Sequence, residues 1–156
     1  RYTFAELCKE AEETDYITSR IDVNNKCFLA PENMTEAIKS YCNNNDLIIP
    51  DTAGEIAAVV YKSLADSYAD TVMQIEKNLD ITYDAIYVIG GGANAGYLNQ
   101  LTADSTGKTV VAGPAEATAI GNIMAQMIAD SVFKNLKEAR ACVRDSFDIK
   151  RFEQKR

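Results

Sequence analysis

The stretch YVIGGGANAG, residues 87–96, carries an apolar run into three consecutive glycines. Glycines at a strand end serve a tight turn, close helix packing, or a ligand pressed against the main chain. Only the last is chemistry: bare amides suit an anion, and a missing Cβ leaves room for a ribose or a flat ring. Two other patterns compete for the same region. Gly90, Gly92 and Ala95 fit the looser dinucleotide pattern GxGxxA, but such a site wants an acid about 20 residues on, at the end of the next strand. That strand end holds Ala112 and Gly113, and Glu116 falls inside the following helix. The triplet GKT at Gly107–Thr109 ends like a Walker A loop, yet Thr102 stands where that motif needs its first glycine. The triplet also leaves a helix and enters a strand, the reverse of a P-loop. A helix-ending Gly107 followed by a turn lysine is the better reading.

Other chemistry is thinly supplied. Asp66 and Asp70 lie four apart on one helix, where a solvated face outweighs an acid/base pair. The chain has no histidine, which removes Ser-His-Asp and Cys-His nucleophiles, the usual imidazole base and most zinc sites. The cysteines, Cys8, Cys27, Cys42 and Cys142, form no CxxC pair. They read as small buried hydrophobes or half-exposed thiols of a reducing cytoplasm. No residue qualifies as catalytic or as a metal ligand.

The 156 residues suffice for one domain and carry a formal charge of −7. That charge argues against a nucleic-acid or anionic-membrane partner, since both need a positive field. No apolar stretch approaches the ~20 residues of a membrane helix. The chain opens on Arg1 rather than Met, and the expectation is a portion of a longer protein.

The elements that must hold the glycines follow from periodicity and caps. Residues 3–13 read as a helix opened by the capping box of Thr3 and Glu6, with Phe4, Leu7, Cys8 and Ala11 on one face. Residues 14–33 are irregular. Asn33 opens a second helix to about residue 43, with Met34, Ala37, Ile38, Tyr41 and Cys42 inward. Thr52 and Glu55 form another box, and a long helix runs to about Asn78 with Ile56, Val60, Leu64, Tyr68, Val72 and Ile75 as its buried stripe. DAIYVI, residues 84–89, is a strand; GYLNQLTADS is a helix with Leu98 and Leu101 inward; KTVVA is a second strand. Residues 115–131 and 135–146 are helices, and the small residues Ala117, Gly121 and Ala125 share a face that suits close helix packing. Strand–helix–strand order with right-handed crossovers implies two parallel neighbours. Two strands make a poor sheet, so further strands are expected from preceding sequence or another chain. Two adjacent strand ends, each with glycine and each opening a helix, form a crevice at the carboxyl edge of the sheet, where open α/β sheets bind ligands. A nucleotide is the ligand that fits.

The segment from Tyr87 to Asn122, YVIGGGANAGYLNQLTADSTGKTVVAGPAEATAIGN, resembles the adenosine-binding segment of the FGGY carbohydrate kinases. The upstream blocks YTFAELCKEA, FLAPENM with IKSYC, and PDTAGEIAAVVYKSLA resemble the same family in the same order. The resemblance implies an α/β fold: the C-terminal part of an actin-like, ribonuclease-H-like ATPase lobe, helix-rich with two short parallel strands. Residues 1–147 would be the C-terminal portion of the second, nucleotide-binding lobe, and 148–156 a solvated tail. It also implies ATP with Mg²⁺ as cofactors and a sugar acceptor; the likeness is greatest to members that phosphorylate L-rhamnulose at its 1-hydroxyl. Gly91 matches the family's nucleotide-contacting glycine, flanked by Gly90 and Gly92. Members close to it carry an asparagine at the position of Ala95, whereas here the amide is on Asn94. Asp104 matches a family acid, but its place at a helix end makes it a structural cap. The sugar site, catalytic carboxylate and first phosphate loop belong to a lobe that precedes these residues in family members. The chain alone is therefore expected to be inactive. Two alternatives stay open: a kinase for another sugar such as xylulose or fuculose, and a non-catalytic nucleotide-binding or scaffold module.

Overall fold

A computed structural model describes residues 2–14 and 16–155, with Phe4 by its backbone alone. The inward position expected of the Phe4 side chain lies outside what is described. The helices are α1 (Phe4–Glu12), α2 (Met34–Asn44), α3 (Ala53–Leu79), α4 (Gly96–Thr106), α5 (Ala117–Ala129) and α6 (Leu136–Ser146). The strands are β1 (Ala85–Val88), β2 (Thr109–Ala112) and β3 (Lys150–Phe152).

Both expected capping boxes form. Thr3 Oγ1 accepts from the Glu6 amide while Glu6 returns a bond to the Thr3 amide, and Thr52 and Glu55 repeat the arrangement at α3. Each satisfies two of the amides a helix start leaves unpaired. Asn33 and Asn135 cap α2 and α6 by accepting from the amides three residues on.

The main core cluster joins Ile17, Ile21, Ile38, Cys42 and Val59, so the irregular segment after α1 is wedged between α2 and α3. This explains why the buried face of α3 departs from the expected stripe. Ala57, Ala58, Val59, Lys62, Ser63 and Ala65 are buried, whereas Ile56, Val60 and Leu64 are half-buried and Tyr68 and Ile75 are exposed. Lys62 Nζ donates to the carbonyls of Thr14 and Ile17, and Ser63 Oγ accepts from the Ile21 amide at 2.9 Å. A segment without regular structure needs partners for its buried backbone groups, and polar side chains on α3 provide them. Met34, expected inward, is also exposed. Asp66 is tied to Arg20 at 2.8 Å, a structural ion pair.

β1 and β2 are parallel neighbours as expected, with Val88 opposite Ala112. A third strand was not expected. Lys150–Phe152, assigned from sequence to a solvated tail, instead pairs antiparallel with β2, placing Lys150 opposite Ala112 and Phe152 opposite Val110. The sheet order is β1-β2-β3, which leaves the outer edge of β1 without a strand partner among the described residues. The stripe Ala117, Gly121, Ala125 also departs from expectation. Gly121 and Ala125 are exposed, and a Cβ on Gly121 would meet nothing within 4 Å. That face looks into an open groove between α5 and α6 instead of onto another helix backbone.

Candidate functional site

The two strand ends lie side by side because Val88 and Ala112 are in register. After β1 the chain enters a 3-10 turn over Gly90–Asn94 and then α4; after β2 it turns through Gly113 and Pro114 toward α5. The two turns are hydrogen-bonded to each other in both directions. The Gly113 amide donates to the Val88 carbonyl at 2.9 Å, and the Gly90 amide donates to the Pro114 carbonyl at 3.3 Å. Gly90 has φ +74° and Gly113 φ +119°, conformations that side chains resist. These two glycines are demanded by the backbone.

Gly91 is not. It is exposed, its φ lies outside the left-handed region, and a Cβ there would meet nothing within 4 Å. Gly92 is intermediate in this respect, since its Cβ would lie 3.3 Å from Val88 Cγ1. Asn94 is exposed at the end of the turn, whereas Ala95 is only 6 % exposed. The amide on Asn94 thus faces outward and the position of Ala95 does not.

Asn99 holds this turn, and its role was not read from the sequence. It is 2 % exposed, and its Nδ2 donates to the carbonyls of Gly92 at 3.2 Å and Ala93 at 3.3 Å. The available signal was an asparagine on the inner face of a helix, beside Leu98, seven residues after the last glycine of the triplet. A buried amide there needs backbone partners, and the open turn supplies them.

The helix starts differ in a way that bears on function. α1, α2, α3 and α6 each begin with a side-chain cap, but α4 and α5, the two helices that leave the strand ends, have none. A helix start without a side-chain cap keeps donors and positive dipole available to an outside group.

A cavity of about 1090 Å³ borders the second turn and not the first. Gly113, Ala117, Gly121 and Leu136 line it together with Tyr87 and Ile89, which are 73 % and 62 % exposed. The triple glycine lies outside that lining. The crevice and the groove therefore share Ile89, Gly113, Pro114 and the wall of α5, while the triple glycine belongs to the crevice alone. Among the described residues, the carboxylates whose proton affinity is displaced, Glu6, Glu55 and Glu76, are engaged in caps or in holding a loop. Lys108 of the GKT triplet is one such structural partner: its Nζ sits 2.7 Å from Glu76 and donates to the Tyr83 carbonyl. Asp104 accepts from the Lys155 amide and from Gln100, consistent with a structural acid.

The family model for the C-terminal domain of the FGGY family of carbohydrate kinases matches residues 3–129. The chain belongs to the FGGY family. Among curated FGGY relatives, it is 47% identical to rhamnulokinase of Bacillus subtilis over 154 residues, covering 99% of this chain and 32% of the relative. It is 45% identical to rhamnulokinase of Oceanobacillus iheyensis over 148 residues, covering 95% and 31%. Rhamnulokinase of Halalkalibacterium halodurans is 43% identical over 152 residues, covering 97% and 32%. The chain thus spans about a third of the length of the FGGY proteins it matches. None of its described helices is long and apolar enough to cross a membrane.

Proposed function

We propose that this chain is the adenosine-side portion of a cytoplasmic sugar kinase that transfers the terminal phosphoryl group of ATP to the 1-hydroxyl of L-rhamnulose. The observation that carries the reading is Gly91: an exposed glycine in a spot where the fold itself leaves room for a side chain. Its bareness serves something outside the chain, and the resemblance names that as the nucleotide. Gly90 and Gly92 shape the approach, and Asn94 offers its outward amide to the ribose or purine. The uncapped starts of α4 and α5 supply donors of the sign a phosphate needs. The residues present therefore fit the adenosine half of the ligand.

ATP supplies the phosphoryl group, and Mg²⁺ accompanies it. This chain's residues bind and orient the nucleotide; they hold no proton in the transfer. Among the described residues no three acidic, thiol or imidazole groups gather as a metal site requires, and we assign none of them to Mg²⁺. Phosphoryl transfer is mostly positioning and electrostatic stabilisation, with ATP, metal and acceptor held together. The acceptor site, the base and the remaining phosphate contacts fall to the lobe that precedes these residues in the intact enzyme.

A coupled ADP-release assay tests the assignment. The full-length enzyme carrying this segment is expected to turn over with L-rhamnulose and Mg·ATP in preference to xylulose or fuculose. The isolated 156-residue chain is expected to show no sugar-dependent release. Sugar-dependent turnover by the isolated chain, or indifference of the full-length enzyme to L-rhamnulose, contradicts it.

A further inference from the structure

We infer that the C-terminal strand is a positioning element for the glycine turn, anchored through Asp104. The inference rests on the nucleotide reading above and adds a part of the chain that neither the glycine motif nor the family match at 3–129 includes.

The segment after α6 makes three successive contacts. Asp148 and Ile149 pass directly over Gly113, close enough that a Cβ on Gly113 would lie 2.9 Å from the Asp148 carbonyl oxygen. Lys150–Phe152 then pairs along β2. Beyond it, the Lys155 amide donates to Asp104 Oδ1 at 2.7 Å, Gln100 Nε2 donates to the Glu153 carbonyl at 2.8 Å, and Thr109 Oγ1 donates to Glu153 Oε2 at 2.8 Å. The segment therefore bridges the far end of α4, the whole of β2 and the turn at Gly113.

Those are the elements that frame the triple glycine. α4 begins two residues after Asn94 and carries Asn99, which holds the carbonyls of Gly92 and Ala93. The turn at Gly113 and Pro114 exchanges hydrogen bonds with Val88 and Gly90. A strand edge alone could be shielded by any polar residue. Here the covering segment is instead hydrogen-bonded to Asp104 at one end and lies over Gly113 with no room for a Cβ at the other, so its fit sets the distance between α4 and the second turn. Asp104 acts through that segment, not on the ligand.

The test uses the full-length enzyme and two variants that cut the same bond from opposite sides. Asp104→Ala removes the acceptor, and Lys155→Pro removes the amide donor at an exposed residue that touches no core. Each is expected to raise KM for ATP about fivefold, with kcat and KM for the sugar within about twofold. Asp104→Asn, which keeps an acceptor oxygen, is expected to restore the parent KM. Hydrogen exchange at the amides of residues 90–95 should quicken in the first two variants and not in the third. Unchanged KM for ATP in both folded variants overturns the inference. So does a fall in kcat with a parallel rise in both KM values and a lowered melting temperature, which marks a merely structural contact. Should Asp104→Ala fail to fold, Lys155→Pro decides alone. Gly91→Val, measured alongside, reads the nucleotide assignment independently: if it leaves KM for ATP unchanged, that assignment has failed and not the anchoring alone.

Discussion

The Gly90 amide donates to the carbonyl of Pro114 at 3.3 Å, so the first turn of the crevice is held by the second. Gly90 makes that bond at φ +74°, whereas its neighbour Gly91 lies outside the left-handed region. Opposite effects follow at adjacent positions of one motif. Gly90→Ala should destabilise by about 1–2 kcal/mol, the cost of a left-handed backbone for a residue with a Cβ. Gly91→Ala should be neutral or stabilising by about 0.4–1 kcal/mol, because it restricts only the unfolded chain. Urea midpoints of the two variants check this, and equal losses would contradict the assignment of the turn.

Lys108 and Glu76 predict an acid-dependent term in stability. Glu76 accepts from Lys108 and from the Tyr83 amide, and these contacts, the Lys108 bond first, hold its carboxyl below the ordinary value of 4.5. A carboxyl depressed in the folded state contributes stability that is present above that ordinary value and is lost as pH falls through the lower folded value. Glu76→Gln should therefore be less stable than the parent at neutral pH, and the gap should close in that acid window. Thermal melts of both proteins across the acid range measure it. A gap independent of pH would show that the carboxylate charge contributes nothing.

Local rules made the helices legible. Thr3 with Glu6, Thr52 with Glu55, Asn33 and Asn135 are caps whose side-chain chemistry acts within one turn, and each opens its helix where expected. The parallel pairing of β1 and β2 was legible because crossover handedness leaves few choices. Periodicity failed where burial depended on partners distant in sequence. Tyr68 and Ile75 have helical spacing but are exposed, and Lys62 is buried because it serves the carbonyls of Thr14 and Ile17. The stripe at Gly121 likewise looked like a packing face and is open. β3 escaped notice because KRFEQKR is polar but for one residue and lies on an edge, with only the half-buried Phe152 to mark an inner side. At the site, the triple glycine was legible from its place after an apolar run. The grip of Asn99 and the close pass of Asp148 over Gly113 were not, because both need the three-dimensional path of the chain.

The most direct test of the central claim is the steady-state kinetics of Gly91→Val in the full-length enzyme. The space beside Gly91 admits a side chain without disturbing the fold, so the variant should fold as the parent does. A branched side chain there should intrude on the purine or ribose. The expected result is a rise in KM for ATP of about tenfold or more, equivalent to ~1.4 kcal/mol of lost binding, with KM for L-rhamnulose nearly unchanged. Equal shifts in both constants, or no shift in either, would contradict a nucleotide held against this glycine.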